Sequence, residues 1–413
     1  MIGVVGLGFV GLTTSVGLAL KGNTVLGYDI DERRMAQIKN GVVPFYEEGL
    51  EKALADTLGK TFYPIDSLSQ LVRESKAIFI CVGTPSTTEG ADLSHLYSSI
   101  RQITSLLEGY TLLIIKSTVP PGTSKKVVEI LEKEGLSVGE EIGLANNPEF
   151  LREGVALKDF LEPDRIVIGE YDRKSGDIVE DIYKCFDAPI WRVSLTTAEF
   201  IKYLSNTLLS TLISFSNEMA TFAEIIGDID VKTAFKILHQ DRRWYGNPAP
   251  MTSYVWPGCG FGGYCLPKDT YALIKKAESL RIEMKLLKSV LEINCRRKDH
   301  LVNLMEKKLG YLKGRKIAVL GLSFKPNTDD VRDTPSAEII QKLIEKGAKV
   351  IAYDPLAVGN FKRTYNFQIE YADSLEEAVK SADGIFIATA WKQFEDISNS
   401  LSDKVVIDGR YFL

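Results

Sequence analysis

The segment "MIGVVGLGFVG" (residues 1–11) indicates the fold of the first part of this chain. A short apolar strand over residues 2–5 leads into three spaced glycines, and the small-residue run over residues 12–20 predicts a helix. The segment "NTVLGYDI" (23–30) predicts the next strand, which ends on Asp29. Strand, glycine turn, helix, strand and acidic residue in this order are typical of a Rossmann unit that binds a dinucleotide.

The glycine turn suits the pyrophosphate of such a cofactor. Glycines let the backbone turn tightly and approach the phosphates, and the following helix N-terminus favours their negative charge. Asp29 can accept hydrogen bonds from both hydroxyls of the adenosine ribose, which favours NAD over NADP, whereas the nearby Arg34 weakens that preference. We therefore predict an NAD site; the alternative is a tight strand–helix turn without a ligand. The turn itself consists of Gly6, Gly8, Phe9, Val10 and Gly11.

Two further apolar strands continue this half, and each ends in Gly, Thr and Pro. They are "AIFICVGTP" (77–85) and "YTLLIIKSTVPPGT" (110–123). Ligands of open parallel sheets bind at the carboxyl ends of strands, so Thr84 and Thr118 are expected to contact the cofactor or a substrate. Threonine often caps a helix N-terminus instead, and that alternative stays open.

The C-terminal part repeats the same plan. "RKIAVLGLSF" (315–324), "AKVIAYDP" (348–355) and "GIFIATAW" (384–391) echo the three strands above in the same order, with Asp354 in the place of Asp29. Ser323 replaces the second glycine of the turn. We expect a second Rossmann-like half that no longer holds a pyrophosphate in the same way.

A helical stretch lies between the two halves and carries one pair of polar residues. Thr196 and Glu199 fit a capping box before a long apolar-periodic run to about Ile226. Lys202 and Asn206 are four residues apart, so they share one face and could stabilise an oxyanion, although a solvated helix face explains the spacing equally well.

Two acidic residues lie four apart in "NNPEFLREG" (146–154). Glu149 and Glu153 could act as acid–base groups or hold a water, or they could simply complement a helix dipole.

The segment "WPGCGFGGYCLPKD" (256–269) gives the sharpest signal for chemistry. Four glycines in six residues suggest a close backbone approach, and Cys265 follows directly. Lys268 could lower the pKa of that thiol, and Asp269 could orient the thiol or a water. The alternative is an inert buried cysteine, which is how we interpret Cys81, Cys185 and Cys295.

Bulk properties narrow the class of protein. The 413 residues suggest two or three domains, and the net charge of −5 argues against nucleic-acid binding. We expect that the opening segment is not a signal peptide, and the sequence shows no apolar run of membrane-spanning length and no zinc-binding spacing. Five cysteines without regular spacing indicate a reducing compartment, so we expect a cytoplasmic protein.

Taken together, the motifs resemble the UDP-glucose/GDP-mannose dehydrogenase family over the whole chain. The resemblance rests on "GLGFVG", "KSTVPPGT", "NPEFLREG", "KYLSN", "GFGGYCLPKD" and "GLSFKPNTDDVRDTPS". It implies an α/β fold with two Rossmann-like doubly wound domains joined by a long central helix and a helical domain. The expected boundaries are 1–193 for the NAD domain, 194–300 for a central dimerisation domain with the cysteine loop, and 301–413 for the nucleotide-sugar domain.

The resemblance also implies a reaction and a set of residue roles. A primary alcohol on a nucleotide sugar becomes a carboxylate, two NAD+ are reduced in turn, and the cysteine holds the aldehyde as a thiohemiacetal and then as a thioester. The implied catalytic residues are Cys265, Lys202, Asn206, Asp269, Thr118 and Glu153. The implied cofactor residues add Lys268 and Arg332 to Thr84, Thr118, Glu153, Asp29, Arg34 and the glycine turn. The implied substrate residues are Glu149, Phe150, Leu151, Lys202, Asn206, Arg243, Tyr254, Gly262, Phe324, Lys325 and Arg410. Partners are expected to be a small nucleotide sugar and a second copy of the chain, without nucleic acid, membrane or metal.

Three functions stay open at this point. The segment "NPEFLREG" is most similar to the UDP-glucose branch, which implies oxidation of UDP-glucose to UDP-glucuronate. GDP-mannose or a UDP-N-acetyl-hexosamine is the alternative substrate, since the segment from Asp241 to Cys265 is longer than is usual for the UDP-glucose enzymes and leaves the register of Arg242 and Arg243 open. A non-catalytic protein that binds NAD or a nucleotide sugar is the third.

Overall fold

The computed structural model describes residues 1–395 and 404–413, except residues 88, 89, 153, 247, 250, 252, 253, 255, 256, 264, 265, 268, 269, 272, 273, 275, 276, 279 and 280. The chain forms two compact units, Met1–Thr211 and Leu212–Leu413. Each unit contains its own mainly parallel sheet covered by helices, which confirms the predicted fold class. The three predicted domain boundaries stay a prediction.

The first unit is built on an eight-stranded sheet. Its strands are β1 (Ile2–Val5), β2 (Val25–Tyr28), β3 (Phe62–Pro64), β4 (Ala77–Ile80), β7 (Thr111–Ile115), β8 (Ile142–Asn146), β9 (Ile166–Glu170) and β10 (Ile190–Ser194), with a separate small hairpin of β5 (Ser86–Thr87) and β6 (Gly90–Ala91). The sheet order is β10-β9-β8-β7-β4-β1-β2-β3, and all pairs are parallel except β8 with β9. The order from β3 to β8 is that of the doubly wound dinucleotide fold, which reverses between β1 and β4.

Apolar runs explain why the central strands form. Strands β1, β4 and β7 read IGVV, AIFI and TLLII, and every residue in them is buried. Such continuous runs are typical of parallel strands that are covered on both faces. The helices of this unit are α1 (Phe9–Leu20), α2 (Glu32–Lys39), α3 (Leu50–Thr57), α4 (Leu68–Glu74), α5 (Ser94–Thr104), α6 (Thr123–Lys133), α7 (Ala156–Leu161) and α8 (Arg173–Tyr183).

The second unit contains a five-stranded parallel sheet in the order β13-β12-β11-β14-β15. Its strands are β11 (Lys316–Leu320), β12 (Lys349–Tyr353), β13 (Glu370–Tyr371), β14 (Gly384–Ile387) and β15 (Val405–Asp408). The helices that the structure describes here are α10 (Val231–Leu238), a short 3-10 turn (Arg242–Trp244), α11 (Lys285–Leu309), α12 (Pro335–Glu345), α13 (Val358–Thr364) and α14 (Leu375–Lys380). The three echoed segments of the sequence therefore form β11, β12 and β14, as predicted.

A long helix, α9 (Leu195–Ile226), contains 32 residues, and the boundary of the two units falls within it. The predicted capping box at its start is wrong. The hydroxyl of Ser194 accepts the backbone N–H of Thr197 at 3.2 Å, while the carboxylate of Glu199 bonds to a different helix. None of the helices in the described part of the chain is long and apolar enough to span a membrane.

Candidate active site

The turn after β1 uses its three glycines for three physical reasons. Gly6 has a φ of +89°, and a Cβ there would lie 2.8 Å from the carbonyl oxygen of Cys81. A Cβ at Gly11 would lie 1.7 Å from the Gly6 carbonyl oxygen, so the helix packs directly on the turn. A Cβ at Gly8, the N-cap of α1, would meet nothing within 4 Å. The open space at Gly8, beside the free N–H groups of a helix N-terminus, fits a pyrophosphate.

Asp29 joins this turn to α2. Its carboxylate accepts the N–H of Leu7 at 2.6 Å and the N–H of Asp31 at 2.9 Å, and it pairs with Arg34 Nη1 at 2.8 Å. The predicted ribose partner is thus a buried, oriented carboxylate at the carboxyl end of β2, with a guanidinium against it.

A cavity of about 700 Å³ opens at this edge of the sheet. Thr84 and Thr118 line it, and the Thr84 hydroxyl donates to the Thr118 carbonyl oxygen at 2.8 Å, so it links the loops after β4 and β7 rather than capping a helix. Nearly all the cofactor residues predicted within this unit meet here: Gly6, Gly8, Phe9, Val10, Asp29, Arg34, Thr84 and Thr118, with Gly11 packed behind them.

The residues that form one wall of this cavity were not predicted from the sequence. Helix α5 contributes His95, Ser98, Ser99 and Gln102. The available signal was their spacing, because His95 with Ser99 and Ser98 with Gln102 are four residues apart and share a helix face.

A second cavity, of about 740 Å³, lies between the loop after β8 and helix α9. Lys202 Nζ is 2.7 Å from Glu149 Oε1, and both side chains are about 90% buried. The other oxygen of Glu149 accepts the N–H of Leu151 at 2.6 Å. Asn206, one turn beyond Lys202 on α9, and Phe150 also line this cavity. The structure therefore brings together five of the predicted substrate residues from two distant segments.

Lys116, at the end of β7, lines the same cavity and was assigned no role from the sequence. Its buried ammonium donates to Asn147 Oδ1 at 2.9 Å and to the Tyr183 hydroxyl at 3.3 Å. The Tyr183 hydroxyl in turn donates to Asn147 Oδ1 at 2.7 Å. Burial lowers the pKa of Lys116 from its ordinary 10.5 to about 8. Strongly shifted pKa values cluster at functional sites, so Lys116 is a candidate functional residue.

Glu199 fixes α9 against the loop that carries Thr118. Its carboxylate accepts the N–H groups of Gly122 and Ser124, both at 2.6 Å, at the start of α6. Because Glu199 precedes Lys202 by less than one turn of α9, this contact also sets the position of Lys202 relative to the β7–α6 loop.

In the second unit, Asp354 repeats the structural role of Asp29. It accepts the N–H of Leu322 at 2.7 Å, as Asp29 accepts that of Leu7. However, Asp354 also bonds to the Ser323 hydroxyl at 3.2 Å and to Trp391 Nε1 at 3.1 Å. Ser323 is fully buried, whereas Gly8 borders open space, so protein atoms fill the place of a pyrophosphate in this turn.

The glycine-rich loop at residues 258–263 packs against the segment after β11. A Cβ at Gly262 would lie 2.1 Å from the Asp333 carbonyl oxygen, and one at Gly263 would lie 2.9 Å from the Phe324 ring. The N–H of Gly263 donates to the Arg332 carbonyl oxygen at 3.0 Å. These glycines are therefore required by protein contacts, whatever ligand approaches them.

The remaining predicted residues of this unit lie at its surface or its C-terminus. Arg243 pairs with Asp241, and its Nη1 is 3.3 Å from the Tyr254 hydroxyl. Lys325 Nζ lies 5.4 Å from the centre of the Phe324 ring, and Arg410 Nε donates to the Ala388 carbonyl oxygen at 2.6 Å. Predicted site residues outside the described residues are Glu153, Cys265, Lys268 and Asp269.

Of the four cysteines besides Cys265, two are buried and two are exposed. Burial raises the pKa of the Cys81 thiol to about 12, which agrees with an inert residue. The interpretation of Cys185 and Cys295 as buried is wrong, since both are exposed. Cys259 is buried, and its thiol lies 3.2 Å from the Gly409 carbonyl oxygen.

Comparison with known proteins agrees with this geometry. Models of the UDP-glucose/GDP-mannose dehydrogenase family match residues 1–187 as the NAD binding domain, 196–296 as the central domain and 318–413 as the UDP binding domain. The UDP-glucose 6-dehydrogenase TuaD of Bacillus subtilis is 38% identical over 417 residues, covering 99% of this chain and 88% of that protein.

Solved structures give the same result. A GDP-mannose dehydrogenase from Pseudomonas aeruginosa, crystallised as a ternary complex, is 32% identical and covers 100% of this chain and 97% of its own, with a TM-score of 0.87. A UDP-glucose dehydrogenase from Pyrobaculum islandicum is 39% identical and covers 99% of this chain and 94% of its own, with a TM-score of 0.56. The NAD prediction and the family resemblance are confirmed: this chain belongs to the UDP-glucose/GDP-mannose dehydrogenase family and is an NAD-dependent nucleotide-sugar dehydrogenase.

Proposed function

We propose that this chain is a UDP-glucose 6-dehydrogenase, which converts UDP-glucose to UDP-glucuronate. Curated UDP-glucose 6-dehydrogenases from three bacterial genera match it at 37–38% identity over 98–99% of its length. The single observation that carries the proposal is the buried Lys202–Glu149 pair, with Asn206 one turn away, on the wall of a cavity of about 740 Å³.

The chemistry proceeds in two oxidations. NAD+ would be held by the glycine turn after β1 and by Asp29, and it would supply the hydride acceptor for each oxidation. In the first, the C6 alcohol loses a hydride and a proton to become an aldehyde. The thiolate of Cys265 then adds to the aldehyde carbon, and the resulting oxyanion takes up a proton to give a thiohemiacetal. In the second, the thiohemiacetal loses a hydride and a proton to become a thioester. Water then cleaves the C–S bond, which releases the carboxylate and restores the thiol.

The substrate oxygen that becomes negatively charged in these steps requires hydrogen-bond donors. Lys202 and Asn206 are assigned to that oxygen, because a desolvated ammonium and an amide N–H favour a developing oxyanion. Thr118 and Asp269 are assigned to the water and its proton, and Glu153 to the proton of the first oxidation. Glu149 orients the Lys202 ammonium through its 2.7 Å contact.

GDP-mannose is the second candidate substrate. One observation favours it, the TM-score of 0.87 to a GDP-mannose dehydrogenase over the whole chain. The UDP binding description of the matched C-terminal domain favours the uridine nucleotide instead.

A panel of four nucleotide sugars decides between these substrates. The purified protein is mixed with NAD+ and with UDP-glucose, GDP-mannose, UDP-N-acetylglucosamine or UDP-N-acetylmannosamine, and NADH is followed by its absorbance. We expect the highest kcat/KM with UDP-glucose. A higher value with GDP-mannose would reassign the substrate, and binding of both ligands without turnover would contradict catalysis.

A homodimer through α9 is part of the proposal. Phe200 and Leu204, one turn apart on this helix, are each 51% exposed. Exposed apolar side chains at helical spacing are typical of an interface between copies of a chain. Light scattering should give the mass of a dimer for the parent and of a monomer for Leu204→Glu; a monomeric parent would contradict this assignment.

We also propose a cytoplasmic location. A catalytic thiol requires a reducing compartment to stay reduced. Fractionation of the native cells should recover the protein with the cytoplasm, and recovery in an oxidising compartment would contradict the proposal.

A further inference from the structure

Glu47 is a buried carboxylate that was assigned no role from the sequence. It is 5% exposed, and both of its oxygens accept backbone N–H groups from a segment more than 100 residues away. Oε2 accepts the N–H of Gly154 at 2.8 Å, and Oε1 accepts that of Ala156 at 2.6 Å. Hydrogen bonds to an ionised acceptor are stronger than those between neutral groups, so this is a firm anchor.

The anchored segment is the loop that carries the proposed substrate residues. It leaves β8 at Asn146 and enters α7 at Ala156, and Glu149 lies within it. Glu149 fixes the first part of the loop through Lys202, at 2.7 Å. Glu47 fixes the last part, where Gly154 has a φ of +89° and the chain turns sharply into α7. The loop is thus held at both ends by charged side chains from other segments.

The segment of Glu47 also contacts the glycine turn after β1, which is called the cofactor turn below. Phe45, two residues earlier, packs on Phe9 with ring centres 5.5 Å apart, and Phe9 is the first residue of α1 and lines the cofactor cavity. Residues 45–47 therefore contact the cofactor turn with one side chain and the substrate loop with another. Hydride transfer depends on the distance between the two bound molecules, and a displacement of about 1 Å can reduce the rate about 100-fold.

We propose that Glu47 is a positioning residue, which sets the loop of Glu149 at a fixed distance from the cofactor turn. The inference rests on the proposed function, because it assigns the loop to the substrate. Loss of the Glu47 anchor leaves the cofactor cavity unchanged, since Phe9 and the glycine turn keep their own contacts. It loosens the substrate loop and so lowers kcat more than it changes the affinity for NAD+.

Two variants and one matched control test the role. Glu47→Gln keeps the shape but presents an N–H₂ group to one of the two backbone N–H groups, and Glu47→Asp keeps the charge but is one methylene too short to reach both. The control is Glu48→Gln, the same change at the neighbouring exposed position. Each protein is compared by its melting temperature, its NAD+ dissociation constant, its kcat and KM for the best nucleotide sugar, and the hydrogen exchange of residues 149–160.

We expect kcat to fall about 100-fold in Glu47→Gln, and by a smaller factor in Glu47→Asp. The NAD+ dissociation constant should change by less than about threefold, and the exchange of the loop should become about tenfold faster or more. Glu48→Gln should match the parent in every measurement. If Glu47→Gln does not fold, the same comparison in Glu47→Asp decides.

Two results would overturn the inference. One is faster exchange of the loop with a kcat equal to that of the parent, which would make the anchor purely structural. The other is a lower kcat with unchanged exchange of the loop, which would show that Glu47 acts by another route. A parent protein that oxidises no nucleotide sugar would contradict the proposed function instead, and the exchange readout would still decide whether Glu47 holds the loop.

Discussion

Replacing Lys116 by methionine should change how stability depends on pH. Burial lowers the pKa of Lys116 from 10.5 to about 8, so the native protein releases this proton at a lower pH than the unfolded chain does. Between these two pH values the unfolded chain binds more protons, and the free energy of unfolding rises with pH. The difference between the two pKa values corresponds to about 3 kcal/mol over the whole window.

Methionine has a similar shape, carries no proton and leaves the Tyr183–Asn147 hydrogen bond in place. Between pH 7 and pH 10 the free energy of unfolding of the parent should therefore rise by about 2–3 kcal/mol relative to that of Lys116→Met, and most of this rise should occur above pH 8. Urea unfolding followed by circular dichroism at pH 7, 8, 9 and 10 measures this difference.

The exposed lysine at position 125 supplies the control. Lys125→Met should follow the pH dependence of the parent to within about 0.5 kcal/mol. Parallel curves for Lys116→Met and the parent would contradict this prediction, because they would show that Lys116 has the same pKa in the native and unfolded states.

Two further predictions concern glycines. Gly8→Ala should leave the melting temperature unchanged, since its Cβ meets no protein atom within 4 Å, but it should weaken NAD+ binding, measured by calorimetry, about tenfold or more. Gly11→Ala should instead lower the free energy of unfolding by about 3 kcal/mol. The reverse pattern would contradict the assignment of the turn. Gly262→Ala should destabilise the second unit by about 1–3 kcal/mol without any ligand, because its Cβ would lie 2.1 Å from the Asp333 carbonyl oxygen. Gly109→Ala, where a Cβ is unobstructed, is the control, and equal melting temperatures for these two variants would contradict the packing argument.

The parts of the fold that depend on local patterns could be predicted from the sequence. Gly6, Gly8 and Asp29 lie within one strand–turn–helix–strand unit, and the echo of that unit predicted Asp354 in the place of Asp29; both acids are buried. Both acids accept the N–H of the residue that follows the first glycine of their turn, at 2.6 and 2.7 Å.

The parts that depend on distant contacts could not be predicted. Glu199 was interpreted as the cap of its own helix because it lies three residues after a threonine, but it bonds to Gly122 and Ser124, more than 70 residues away. Glu47 has the same kind of role at Gly154. A carboxylate that caps a remote backbone leaves no periodic pattern, so only the tertiary structure reveals it. The spacing of Lys202 and Asn206 left open a solvated helix face, and the buried contact with Glu149 shows that Lys202 is enclosed.

A four-electron oxidation that retains its aldehyde on the protein consumes two NAD+ for each sugar. The amount of NADH formed from a limiting amount of UDP-glucose, with semicarbazide present to trap free aldehyde, tests this most directly. We expect two NADH for each UDP-glucose, UDP-glucuronate as the product and no trapped semicarbazone. One NADH for each sugar, with the semicarbazone of the aldehyde recovered, would contradict the proposed reaction.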